Sequence, residues 1–151
     1  MRCTHLIAEG AVFRIPLSND RVVTGVIARL ERTKSGVLAY MFDTNFSSVD
    51  GLTSGKFRSA KLLDIVDVSA LDLKAGVWPI IGRLGDWNRS EWPIPIFRDR
   101  SGVYSERSDD EYQVCTRLFR QPHIEQWYKD ATYGCGALAD HLRLVLGLAD
   151  E

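Results

Sequence analysis

The sequence predicts an α+β, β-rich fold: a strongly curved antiparallel sheet, or a small partly open barrel, with one or two C-terminal helices packed on it. Three observations carry this. The first half is a series of short β-branched and aromatic runs separated by tight polar turns. Glycine and proline concentrate between Gly76 and Phe97, in "GVWPIIGRLGDWNRSEWPIPIF", where they bend and interrupt strands. Only the carboxy-terminal segment shows the spacing of an amphipathic helix.

The first strand is expected over Val12–Leu17, followed by a polar turn at Ser18–Arg21. A second runs from Val22 to Leu30, where the isolated Gly25 suggests a bulge or a sharp bend. "RTKSG" turns the chain into a third strand, Val37–Phe42, ending at Asp43. Three short strands with such turns predict an antiparallel meander. Residues 44–60 are rich in Ser, Thr and Gly and read as a long surface connection, a type often functional or mobile.

Leu62–Val68 is a fourth strand, with Ile65, Val66 and Val68 expected inside. "SALDLKAG" then gives a turn with a few helical residues, ending at Gly76. Pro79, Pro93 and Pro95 cannot donate to a ladder and belong at strand starts or on an edge, while Gly82 and Gly85 supply bends. "IPIF" reads as an edge strand, "RDRSG" as a turn, and Tyr112–Leu118 as one more strand. Pro122 suits a first helical residue, with Ile124, Trp127 and Tyr128 on one face of that helix. "YGCG" at Tyr133–Gly136 breaks it, and a second helix over Ala137–Leu148 sets Leu138, Leu142, Val145 and Leu146 in one stripe opposite Asp140 and Arg143. This helix is expected to cap the open side of the sheet. A chain of 151 residues with no internal repeat is most simply one domain, 1–151.

Composition excludes several function classes. A net charge of -1 argues against a broad phosphate-binding surface, because proteins that grip nucleic acid through its backbone carry a basic excess. "MRCTHLIAEGAVF" has no long apolar core, and no run of about 18 apolar residues occurs, so neither a signal peptide nor a membrane span is expected. That places the chain in the cytoplasm. The three scattered cysteines, Cys3, Cys115 and Cys135, fit reduced thiols.

Nor does any motif carry catalysis. His5, His123 and His141 lack metal-ligand spacing, so no metal and no cofactor are expected. A Cys115–His123 nucleophile pair is conceivable, but Cys115 lies between Val114 and Thr116 in a strand, where a small buried hydrophobe is the plainer reading. "GLTSGK" lacks the glycine spacing of a phosphate loop and the hydroxyl residue after Lys56. Lys56 and Arg58 around Phe57 offer charge and stacking for a nucleic acid, although in a near-neutral chain an ordinary solvated loop explains them better.

Four segments occur in a recognisable order: "EGAVFRIPL" (Glu9–Leu17), the Tyr40–Asp43 strand, "LDLKAGVWPIIGR" (Leu71–Arg83) and "WPIPIFRDR" (Trp92–Arg100). Together they resemble the immunity protein 26 family of bacterial polymorphic toxin systems. The likeness covers most of residues 9–100, with Ala11 where the family often has an acidic or polar residue. It implies a protein that is not an enzyme and that binds and neutralises a cognate toxin by protein–protein association; it names neither the toxin nor an oligomeric state. The alternative is a small β-barrel module binding nucleic acid or a peptide.

Interfaces are most often anchored by Trp, Tyr and Arg, and complementary charge sets their register. The partner-binding candidates are therefore Asp86, Trp87, Arg89 and Glu91 in one loop, and the acidic run Asp109, Asp110 and Glu111. Trp78 and Trp92, each followed by proline, are expected in the core, and Trp87, flanked by Asp86 and Asn88, is expected to be exposed.

Overall fold

The structure is a computed structural model that describes residues 7–17, 20–31, 35–46, 53–101, 103–108, 112, 114–118, 128–129, 132–133 and 137–148. Its main sheet has six strands in the order β10-β4-β3-β2-β1-β5, and a second has four in the order β8-β7-β6-β9. The expected three-stranded meander is β1 (Ala11–Pro16), β2 (Val22–Leu30) and β3 (Gly36–Phe42), and the fourth expected strand, β4 (Leu62–Ser69), continues it; all pair antiparallel. β5 (Ile80–Arg83) joins its edge beside β1, and β10 (Thr132–Tyr133) adds to β4 in parallel. The sheet curls without closing into a barrel.

Alternation along these strands sorts two cores, one on each face of the main sheet. Phe13, Ile15, Ile27, Val37, Ala39, Met41, Val66 and Val68 point to one face, where Trp78, Leu138 and Leu142 cover them. Val12, Val26, Leu38, Tyr40, Phe42 and Ile65 point to the other, where Phe57, Trp92, Phe97 and Tyr112 pack. Burial on both faces explains why β1 and β3 read as nearly unbroken apolar runs.

The second sheet is built from β6 (Phe97–Arg98), β7 (Tyr104–Arg107), β8 (Val114–Leu118) and β9 (Tyr128–Lys129). Arg107 ties it to the main sheet: Nη1 lies 3.0 Å from the Asp67 carboxylate, with both side chains almost fully buried. The same guanidinium lies 4.8 Å from the centre of the Phe97 ring and 4.7 Å from that of Tyr112. A cation between two rings and against a carboxylate is well compensated for its burial.

Helix α3 (Ala137–Leu146) caps the first face as expected. Its stripe holds at Leu138 and Leu142, both fully buried, but Val145 is 44% exposed in the last turn, next to the positive-φ Gly147 that ends the helix.

Other expectations change. Tyr128 lies in β9, paired with Phe97, and not on a helix face; the remainder of that predicted helix is outside the described residues. Residues 44–60 are not simply a surface loop, since α1 (Ser54–Arg58) forms within them and buries Phe57 completely. "SALDLKAG" does contain a short helix, α2 (Leu71–Lys74). "IPIF" contributes only Phe97 to a strand, and β6 is not an edge, because β7 and β9 flank it. The expected strand at Tyr112 starts at Val114; Tyr112 itself turns the chain at φ 51.

Gly25 is not a bulge. It pairs in register with Phe13, and a Cβ there would stand 2.4 Å from the Phe13 ring. The glycine lets that buried ring lie flat across β2 and stack on Trp78 at 6.2 Å. The irregularity in β2 comes later, between Ile27 and Arg29.

Candidate functional site

On the second face of the main sheet the chain gathers an aromatic cluster around Trp92. β3 alternation presents Tyr40 and Phe42 there, and Trp92 meets their ring edges at 5.1 and 5.9 Å. Phe57, carried by α1, packs on Phe42 at 5.1 Å and on Trp92 at 6.2 Å, while Trp87 leans on Trp92 from the other side at 5.7 Å. Such tilted and edge-on contacts suit the ring quadrupoles.

Polar groups fix the loop that carries these tryptophans. Arg29, 2% exposed, donates to the carbonyls of Trp92 at 3.1 Å and Arg89 at 3.3 Å. Arg89 in turn clamps the Glu9 carboxylate through two hydrogen bonds of 3.0 and 2.9 Å. Asn88 caps the 3-10 turn Arg89–Glu91 by accepting from the Ser90 amide. Tyr40 donates its hydroxyl to the Pro93 carbonyl. Burial, and next the neighbouring Tyr128, hold the Tyr40 phenol protonated well above the ordinary tyrosine range.

Every candidate residue of the loop is thus engaged within the fold. Asp86, exposed, accepts from the Ser54 amide at 3.1 Å and so anchors the start of α1. Glu91 pairs with Arg58 at 2.7 Å, both side chains well exposed. Trp87 is half-buried and not the exposed side chain expected: its ring covers Gly10, whose φ of 84 and whose distance of 2.9 Å from a notional Cβ to that ring require glycine. Trp78 and Trp92 are core residues as expected, at 3% and 4% exposure. The structure brings Asp86, Trp87, Arg89 and Glu91 together; Asp109, Asp110 and Glu111 lie outside the described residues.

Beside Trp92 a cavity of about 240 Å³ opens to solvent, lined by Tyr40, Phe42, Phe57, Arg58, Ala60, Leu62, Glu91 and Trp92. Its walls are aromatic, and its rim holds the Arg58–Glu91 pair and the part-exposed Leu62. The sequence reading missed Tyr40, Phe42, Ala60 and Leu62 here. Strand alternation could have found the first two, since both fall on one face of β3.

Phe57 is fully buried in the second core, so it is not a stacking platform for a base. Among the described residues no group of three His, Cys, Asp or Glu could hold a metal, and no helix is long and apolar enough to cross a membrane. Cys115 falls in β8, but its side chain and all of His123 are outside the described residues. His141 instead sits 2.6 Å from Asp64 with the Tyr133 ring stacked on it at 4.8 Å, which pins α3 to β4. Burial, and next the Asp64 charge, raise the Tyr133 phenol above its ordinary value.

Compared with known proteins, residues 8–109 match the family model described as immunity protein 26. No curated protein and no solved structure matches.

Proposed function

The chain belongs to the immunity protein 26 family, and from that premise we propose that it is a bacterial cytoplasmic protein that neutralises a cognate toxin of a polymorphic toxin system. It acts by tight association, covering a surface the toxin needs, and not by chemistry on a substrate. The observation that carries this reading is the family match, which spans β1 to β7 and the whole loop 86–92.

The loop geometry supports a binding role. Trp87 and Arg89 are held in one conformation by Gly10, Arg29 and Glu9, so an interface built on them loses little side-chain freedom on association. The acidic run Asp109, Asp110 and Glu111 supplies charge complementary to basic groups on the toxin.

The test is affinity capture from lysate of the source cells, followed by expression of the retained protein alone and together with this chain. The reading expects one stoichiometric partner that stops growth alone and is silenced by co-expression. Recovery of nucleic acid alone, or a partner without toxicity, overturns it.

A further inference from the structure

The cavity beside Trp92 has the dimensions and lining of a receptacle for one side chain. At about 240 Å³ it is smaller than the roughly 300–1,000 Å³ of sites that enclose a cofactor or drug-sized ligand. Tyr40, Phe42, Phe57 and Trp92 give it aromatic walls, which favour an apolar occupant. Among the described residues its charged lining is Arg58 and Glu91, paired at 2.7 Å on the rim.

Two further observations distinguish this place from a finished core. The indole Nε1 of Trp92 is buried and has no hydrogen-bond partner among the described residues, a desolvated donor of the kind native interiors rarely leave. The rim pair also sets one acceptor, the Glu91 carboxylate, beside one donor, the Arg58 guanidinium, with side-chain exposures of 38% and 62%. An exposed pair of this kind holds itself together weakly and exchanges partners at little cost. Its two polarities complement the N–H and C=O of a peptide backbone, which a simple hydrocarbon lacks.

We infer that this cavity is the anchor point for the toxin: a peptide segment of the toxin inserts one large apolar side chain against the accessible edges of Tyr40 and Trp92 and against Ala60 and Leu62, while its backbone N–H donates to Glu91 and its C=O accepts from Arg58. The inference rests on the toxin-binding reading and names the contact surface within it. It shifts the expected interface from the exposed flank of loop 86–91 towards the groove between that loop and α1.

The experiment separates the two claims. Isotope-labelled protein is titrated with N-acetyl-phenylalanine methylamide and N-acetyl-leucine methylamide at millimolar concentration, and the indole N–H resonances of Trp92 and Trp78 are followed. The expected result is a saturable shift at Trp92, none at Trp78, loss of the shift in Ala60→Leu, and binding about two- to tenfold weaker in Glu91→Ala, as one lost hydrogen bond requires. No shift, a shift that persists in Ala60→Leu, or equal binding of toluene lacking a peptide group overturns the anchor. With the captured toxin, Ala60→Leu should raise Kd at least about tenfold, the effect of losing a central anchor. Wild-type affinity in that folded variant would sink the anchor and leave the toxin-binding reading standing. A wild-type protein that captures no toxin sinks that reading instead, and the amide titration still decides whether the cavity takes a peptide side chain.

Discussion

Arg107 offers the sharpest test of how the two sheets are joined. Its side chain is 9% exposed and its Asp67 partner 3% exposed, at 3.0 Å. Replacing Arg107 with Met keeps most of the apolar stem but removes the cation that faces the buried Asp67 carboxylate. Breaking a buried pair from one side costs about 3–5 kcal/mol, and the lost contacts to Phe97 and Tyr112 fall within that range. For a chain of this size each kcal/mol lowers Tm by about 2–4 °C, so Arg107→Met should lose roughly 6–20 °C and a corresponding span of urea midpoint. Arg107→Met with Asp67→Leu removes both charges and should recover most of the loss, because the carboxylate no longer needs a partner. The half-exposed Arg21–Asp43 pair, at 2.6 Å, is the control, and Arg21→Ala should stay within about 1 kcal/mol of wild type. If Arg107→Met unfolds within 1 kcal/mol of wild type, or the double variant is no better than the single, the pair does not hold the sheets as argued.

Other consequences follow from the same geometry. Gly25→Ala should cost about 1–3 kcal/mol in urea unfolding, since a Cβ 2.4 Å from the Phe13 ring overpacks the first core; an unchanged midpoint would mean the ring moves freely. Leu142→Ala should cost about 2–5 kcal/mol, whereas Val145→Ala on the exposed last turn should be nearly neutral. Tyr40 has a folded pKa raised above its ordinary 10.0, so its stabilising contribution is complete below pH 10 and fades as the pH climbs through the folded value. Tyr40→Phe should therefore lose about 1 kcal/mol at neutral pH with the Pro93 hydrogen bond, yet show a shallower fall in stability above pH 10. Parallel alkaline profiles would refute that assignment.

Much of the architecture was legible from local pattern. Strands β1 to β4 and the burial of Trp78, Trp92, Leu138 and Leu142 follow from periodicity, whereas β5, short and broken by Gly82, was not read as a strand. The second sheet was legible only in part: β8 was expected within Tyr112–Leu118 and Phe97 of β6 within "IPIF", but β7 reads "YSER" and gains its place from pairing on both sides and from Arg107, neither of which leaves an apolar signal. Gly25 misled for a related reason: the residue that needs its missing Cβ is Phe13, twelve positions earlier on another strand. At the candidate site the composition singled out the loop 86–91 as a candidate, but not the cavity. That cavity exists only because α1 folds inside an apparently polar connection and brings Phe57 and Ala60 against Trp92.

The central claim is neutralisation by association, and the most direct measurement is calorimetric titration of this chain into the purified, captured toxin, with the toxin's activity assayed on the same samples. The account predicts a saturable complex of fixed stoichiometry, with activity falling in proportion to the fraction bound and returning when the complex is separated under denaturing conditions and the toxin refolded. Activity lost at substoichiometric amounts of this chain, or a toxin covalently altered after separation, would contradict it and point to catalysis instead.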